Sequence, residues 1–352
     1  MDPLIIKTLV ALLPVVVCLI AFERLDAFKL VGLLDVLGLL AAGAVLATGG
    51  YFANGGVLDQ FPIGITDYTR YVAPTIEEVL KAGLIIALFA FNRVGYLIDA
   101  AIAGFAIGSG FALAENMFFL QQFTDANLGV WIVRGFGTAI MHGGATALMS
   151  VLSLVLYAPR LRVSAERFHF NVLLFLPGLA VAIAVHAMFN QFQQASLIAM
   201  VVVLVIVPLS LFAIFVLGET YAHRWLAEDN EAHARLLADI RSGAFDATSH
   251  GRALRALANR MDDASARDLF DYVRVNAELV VRADATLLAL EEHAHVALGP
   301  SVREQFHHLH ALERRLGHAA VMAVRQHLSF SRDDLWKLHE LEADSGRREF
   351  EA

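Results

Sequence analysis

The sequence predicts an all-α protein: a polytopic bundle of about seven transmembrane helices followed by a C-terminal soluble helical domain. Three observations lead there. Of 352 residues, 57% are hydrophobic and 18% charged, with a mean hydropathy of +0.59, which is more apolar than ordinary soluble domains. The charge is uneven: residues 1–218 hold 10 Lys/Arg and 12 Asp/Glu, while residues 219–352 hold 17 and 23, a net charge of −6. Apolar runs long enough for a bilayer occur in the first stretch, and helical spacing of isolated apolar residues takes over in the second. The expected partition is therefore a membrane domain over 1–218 and a helical domain over 219–352. The lone Cys18 excludes an intrachain disulfide framework or a zinc ribbon. No basic excess points to nucleic acid, and the partner implied is the lipid bilayer.

A spanning helix needs about 20 mostly apolar residues, and runs near 4–22, 30–49, 74–92, 96–120, 133–157, 172–191 and 196–217 meet that length. The first is unlike a secretory signal, having Asp2 in place of a basic start, Lys7 inside, and AFERL without a small-x-small cleavage site, so a retained helix is expected. Arg24, Lys29, Arg93, Arg160, Arg162 and Arg167 fall in alternate loops, whereas the opposite loops hold only Arg70 and the flanking Arg134. Basic loops stay cytoplasmic, so the amino terminus is expected outside and the tail in the cytoplasm. In that tail, Ala232, Leu236 and Ile240, then Leu254, Leu257 and Met261, then Phe306, Leu309, Leu312 and Leu316 recur at helical spacing. Four or five helices follow, broken near SGAFDATSHG and LGPS. Eleven of the 14 His lie there, among them His307, His308 and His310; without paired ligand spacing they read as a solvated face.

Ionisable groups inside spans are costly and mark function by default. Glu77, Glu78 and Lys81 lie on the third expected span, Glu115 and Asn116 on the fourth, His142 on the fifth, and His186 and Asn190 on the sixth, with Asp35 and Asp99 as further candidates. At about 1.5 Å per residue, Glu77, Glu115, His142, His186 and Asn190 fall within roughly 5 to 13 Å of the outer boundary. Structural readings stand beside this. Thr75 and Glu78 form the T-x-x-E of a capping box, Glu77 and Lys81 are i,i+4 neighbours able to pair, and His142 beside Gly143 and Gly144 suits close helix packing. The spacing of His186 and Asn190 puts an imidazole and a carboxamide on one face.

Carboxylates, two imidazoles and an amide at one depth suit hydrolysis of a peptide bond without a covalent intermediate: Glu77 as general base, with His186 and Asn190 able to stabilise an oxyanion. No serine elbow is present, and Cys18 is distant in sequence. The same residues also suit zinc, with Glu115, His142 and His186 as ligands and a second Glu as base. HExxH is absent, so separate helices would have to assemble such a site.

PTIEEVLKA resembles the EExxK motif of the PrsW family of bacterial intramembrane proteases. IDAAIAGFAIGSGFALAENMFF, RGFGTAIMHGGATALMS and HAMFN are similar to its second, third and fourth motifs, in the same order, over about residues 70–195. The family belongs with the CAAX prenyl proteases and bacteriocin-processing proteins. The resemblance implies a multi-pass protease of the bacterial cytoplasmic (inner) membrane that cleaves membrane-bound, single-pass substrates of anti-sigma-factor type on the extracytoplasmic side. It carries functional roles onto Glu77, Glu78, Glu115, His142, His186 and Asn190, and it implies Zn2+ if the metalloprotease description holds, or none if the mechanism is glutamate-dependent. It says nothing of the 134 residues of tail. A proton-coupled transporter and an inactive substrate-binding scaffold are the alternative classes; no inverted repeat supports the transporter.

Overall fold

The computed structural model describes residues 6–10, 13–17, 20, 32–123, 125, 127–161, 169–191, 196–291, 300–328 and 330–347. Cys18, Arg24, Lys29, Arg162 and Arg167 lie outside them, as do parts of the run near 4–22, of NQFQQAS and of LGPS. Among the described residues every regular element is a helix, and the chain divides into two compact units, Met1–Tyr157 with Phe170–Glu219, and Ala158–His169 with Thr220–Ala352.

The first unit contains α1 (Leu33–Gln60), α2 (Ala73–Ala90), α3 (Leu97–Gln122), α4 (Ala139–Leu161), α5 (Leu176–Gln191) and the start of α6 (Ser196–Ser242). Among the described residues, four stretches are long and apolar enough to cross a membrane: Leu33–Gln60, Leu97–Gln122, Leu128–Ala158 and Val172–Gln191. The seven expected runs differ from this in three places. The run near 4–22 is described only in part, α2 carries three charged residues, Glu77, Glu78 and Lys81, and in α6 the apolar stretch among the described side chains is Leu197–Ser210.

α3 is the hub. Its small residues let neighbouring backbones approach, as in closely packed membrane helices. A Cβ on Gly110 would lie 2.0 Å from the Leu40 carbonyl oxygen of α1, and one on Gly108 would lie 2.2 Å from the His142 carbonyl oxygen of α4. Glycine at 108 thus sets how near the His142 turn comes to α3. Asp35 and Asp99, raised above as site candidates, instead cap their own helices. Asp35 Oδ2 accepts from Gly32 N at 3.2 Å, and Asp99 Oδ2 accepts from Tyr96 N at 3.1 Å.

Two π-helical turns, Tyr68–Val72 before α2 and Val133–Thr138 before α4, widen the helices that carry the polar residues. Such turns recur at functional sites. In the first, Ala73 N donates to Tyr68 O, while Pro74 has no N–H to offer the turn. The expected start at residue 74 is therefore inside a helical stretch that begins at Ile65. The T-x-x-E capping box does not form, because Thr75 Oγ1 donates back to Tyr71 O at 2.8 Å.

The second unit contains the end of α6, α7 (Ser249–Ala258), α8 (Asp263–Glu291), α9 (Pro300–Leu328) and α10 (Arg332–Arg347). Leu254, Phe306, Leu309 and Leu312 are buried in its core, and Leu236, Ile240, Leu257, Met261 and Leu316 pack against it. The break at SGAFDATSHG is made by Gly243, at φ 81°, and by Thr248, whose Oγ1 accepts from Gly251 N at 3.0 Å. A further break, not anticipated from the sequence, is Gly317 at φ 77° inside α9.

Candidate active site

α2 delivers the first half of the site. Glu78 and Lys81 are fully buried and joined by a 2.6 Å ion pair, so the lysine takes its i−3 neighbour and not Glu77, contrary to the i,i+4 pairing weighed above. Glu78 Oε1 also meets His186 Nδ1 of α5 at 2.8 Å. A carboxylate only accepts, so Nδ1 of His186 carries a proton toward Glu78, and Nε2 lies 4.0 Å from Glu77 Oε2. On the other side, Lys81 Nζ lies 2.9 Å from His142 Nδ1 and His142 Nε2 lies 3.1 Å from Glu115 Oε2. An ammonium only donates, so Nδ1 of His142 accepts and Nε2–H donates to Glu115. The two imidazoles meet edge to face with centroids 4.5 Å apart.

Glu77, Glu78, Glu115, His142 and His186, all singled out in the sequence, therefore share one network drawn from α2, α3, α4 and α5. Asn190 is placed differently. Its Nδ2 donates to Thr69 O in the first π-turn at 2.8 Å, in the turn that Pro74 leaves a donor short. This bond ties the end of α5 to the approach to α2.

Three residues of the network were not picked out beforehand as part of the site. Asn54 of α1 donates from Nδ2 to Glu77 Oε1 at 3.2 Å, and Tyr68 donates its hydroxyl to Asn54 Oδ1 at 2.8 Å. Arg134, read as a loop-flanking charge, pairs with Glu115 Oε1 at 3.1 Å, donates from Nε to Asn116 Oδ1 at 2.9 Å, and stacks 3.6 Å from the Phe119 ring centroid. The available signal was polarity: an Asn within an apolar helix and an Arg at the head of one are as costly in a membrane as the residues that were noticed.

Glu77, His142 and His186 each offer a ligand atom, and those atoms all lie within 4.8 Å of one another. Two imidazoles and a carboxylate are a donor set suited to zinc, and the contact from Glu78 to His186 is the outer carboxylate that orients a ligating histidine. Glu78 Oε2 is buried with no hydrogen-bond partner among the described residues, an unsatisfied acceptor beside that donor set. The residues present fit a bound cation once Lys81 Nζ releases His142 Nδ1, the one lone pair that ring offers while its Nε2–H donates to Glu115. Glu115, expected as a ligand, is outside this group and reaches it through His142.

A family model described as PrsW family intramembrane metalloprotease matches residues 33–217. The chain belongs to the PrsW family. The match begins ahead of the four motifs and takes in α1, so Asn54 lies inside the PrsW region, while the second unit lies almost wholly beyond it. No curated protein and no solved structure matches the chain. Membership makes this an intramembrane protease and a membrane protein, in agreement with its apolar helices.

Proposed function

We propose that the chain is a metal-dependent endopeptidase that hydrolyses a peptide bond of a membrane-bound protein near the outer face of the bilayer, with Glu77, His142 and His186 holding the metal. The observation that carries this is the approach of their three ligand atoms to within 4.8 Å, with Glu78 Oε1 behind His186 at 2.8 Å. A divalent cation such as zinc, when bound, supplies Lewis acidity to the scissile carbonyl and to water. The chain's own residues set the geometry. Glu78 fixes the tautomer and ring plane of His186, Lys81 compensates the buried charge of Glu78, and Arg134 with Glu115 holds His142. Asn190 anchors the end of α5 that carries His186.

A second reading has its own observation. Lys81 and Glu115 already engage both nitrogens of His142, which favours a glutamate-dependent mechanism in which Glu77 accepts the proton of the attacking water without a metal. Elemental analysis of active, chelator-washed protein separates the two: full activity with substoichiometric metal leaves the glutamate mechanism.

The polar groups shared by four helices at one depth, together with the basic loops, support a cut on the outer side with the tail in the cytoplasm of a bacterial inner membrane. The substrate class this suits is a single-pass protein of anti-sigma-factor type. Incubating the detergent-purified protein with candidate single-pass substrates, beside Glu77→Gln, tests the reading: no cleavage by wild type, or equal cleavage by both, rejects it in favour of transport or scaffolding.

A further inference from the structure

We infer that Asn54, held by Tyr68, is the positioning residue for Glu77, an inference that deepens the proposed function and rests on it. Neither residue lies in the motifs that carry the family resemblance. Glu77 Oε1 accepts from Asn54 Nδ2 at 3.2 Å, and its Oε2 faces His186 Nε2 at 4.0 Å. The two carboxylate oxygens, equivalent in themselves, thus face different partners, and Asn54 fixes the plane in which the carboxylate turns toward the histidine.

What orients Asn54 is the Tyr68 hydroxyl. It lies 2.8 Å from Asn54 Oδ1 and 3.0 Å from the Asn54 backbone oxygen, and Tyr68 is buried at 2% exposure. A phenol has one proton, and here both oxygens of Asn54 compete for it, so the hydroxyl acts as donor. That holds Oδ1 toward Tyr68 and leaves Nδ2 pointing at Glu77. The flipped amide would set Oδ1 against a carboxylate oxygen, two acceptors with no proton between them. The acceptor-only carboxylate thus decides which end of the amide it meets, Tyr68 holds the amide in that place, and the amide in turn holds the carboxylate. Tyr68 also opens the π-turn whose next carbonyl, that of Thr69, receives Asn190. One turn thus positions Glu77 through Asn54 and the end of α5 through Asn190.

The test is steady-state cleavage and cobalt(II) affinity, by chelator competition, for the full-length protein in detergent as wild type, Asn54→Ala, Tyr68→Phe and the double variant. Misplacing a reacting group by about 1 Å costs on the order of 100-fold, and loss of an outer partner of a metal ligand costs about 10- to 100-fold in affinity or activity. Asn54→Ala is expected to lower kcat by about 10- to 100-fold at a KM within about twofold of wild type, and to weaken cobalt binding by about 10-fold or more. Tyr68→Phe, which keeps the ring packing, is expected to lower both by less, and the double variant to be no worse than Asn54→Ala, because the hydroxyl acts only through the amide. Unchanged kcat together with unchanged cobalt affinity in Asn54→Ala overturns the inference. So do losses that multiply in the double variant, or a lowered melting midpoint with kcat and cobalt affinity intact, which marks a packing contact only. Failure of the protease reading looks different: the wild type itself cleaves nothing, and the cobalt measurements then decide the positioning role.

Discussion

Each unit of this chain buries a lysine among carboxylates and histidine, and the two clusters are built to opposite ends. In the first unit Lys81 takes Glu78 and His142, leaving Glu78 Oε2 without a hydrogen bond among the described residues and the side chains of Glu77 and Glu115 at 13% and 28% exposure. In the second, Lys337 Nζ gathers Asp229 and Asp284 at 2.9 Å, Asp333 at 3.3 Å and Asp334 at 3.4 Å. His233 bridges Asp284 at 2.6 Å and Asp334 at 3.6 Å. Asp229, Asp333 and Asp334 are close enough to hold a cation, and the ammonium is already that cation. The same residue types thus make an open cluster in one unit and a closed one in the other. The discriminating feature is where the ammonium lies: both clusters keep a buried acceptor without a hydrogen-bond partner among the described residues, Glu78 Oε2 and Asp333 Oδ2, but in the second the lysine lies within 3.4 Å of all three carboxylates that could hold a cation.

The largest effect that would break this contrast lies within adjacent residues. Glu77→Gln removes a carboxylate oxygen that holds the metal in the first reading and takes the proton of water in the second; it is expected to lower kcat by about 100-fold or more, with an unchanged melting midpoint in detergent. Glu78→Gln is expected to act on the fold as well. Removing its charge strands the buried Lys81 ammonium, and an uncompensated buried ion costs about 3–5 kcal/mol. A Glu78→Gln protein that melts like wild type would show that the first cluster does not depend on its ion pair.

For the closed cluster the expectation is purely structural. Lys337→Met removes the ammonium from among four carboxylates and should destabilise the second unit by about 3–5 kcal/mol, read as faster amide hydrogen exchange in α8 and α10 of the full chain. Protection at the wild-type level in those helices would mean that the acidic groups find another counter-ion, and the closed description would fall.

Legibility in the sequence followed the same division. Glu77, Glu78, Glu115, His142 and His186 stood out because charge in an apolar run has few bland explanations, and the helices around them are where the apolar runs lie. Asn54 is hidden in the sequence because the apolar run ends near 49, whereas α1 continues to Gln60; backbone hydrogen bonds sustain a helix past its apolar stretch. The contact of Asn190 with Thr69 spans 121 residues and depends on a π-turn, which periodicity does not register. In the tail, the apolar spacing marked the core at every named position except Ala232, which is exposed, and His308 and His310 lie on a partly exposed face in contact with Asp271, Glu313 and Glu342. His233 departs from the solvated-face reading, since its partner Asp284 is 51 residues away, beyond any local pattern.

The mildest test of the closed cluster is pH. Burial works against a charged His233, but the hydrogen bonds to Asp284 and Asp334 outweigh it and carry the imidazole up to about 9. A folded value above the unfolded value of about 6.5 means that folding favours the protonated form. That stability is complete below about pH 6.5 and is lost as pH rises toward 9, roughly 3 kcal/mol in all at about 1.4 kcal/mol per unit. Burial pushes Asp333 up to about 7 in spite of Lys337, so it too favours the protonated folded form, and its contribution fades between about pH 4 and 7. Asp334 runs the other way: burial opposes its charge, yet His233 and Lys337 hold it down at about 2, so its contribution is lost only as pH falls below about 4. The three signs together place the stability maximum of the second unit near pH 4, with a decline from there to about pH 9, carried by Asp333 up to about pH 7 and by His233 from about pH 6.5. Hydrogen exchange in α8 and α10, corrected for the intrinsic pH dependence of amide exchange, should report that decline. His233→Gln should flatten its upper part between about pH 6.5 and 9 and leave the Asp333 part in place. A profile with no slope above pH 6.5 in the wild type would show that His233 is neutral in the fold, and that Lys337 alone closes the cluster.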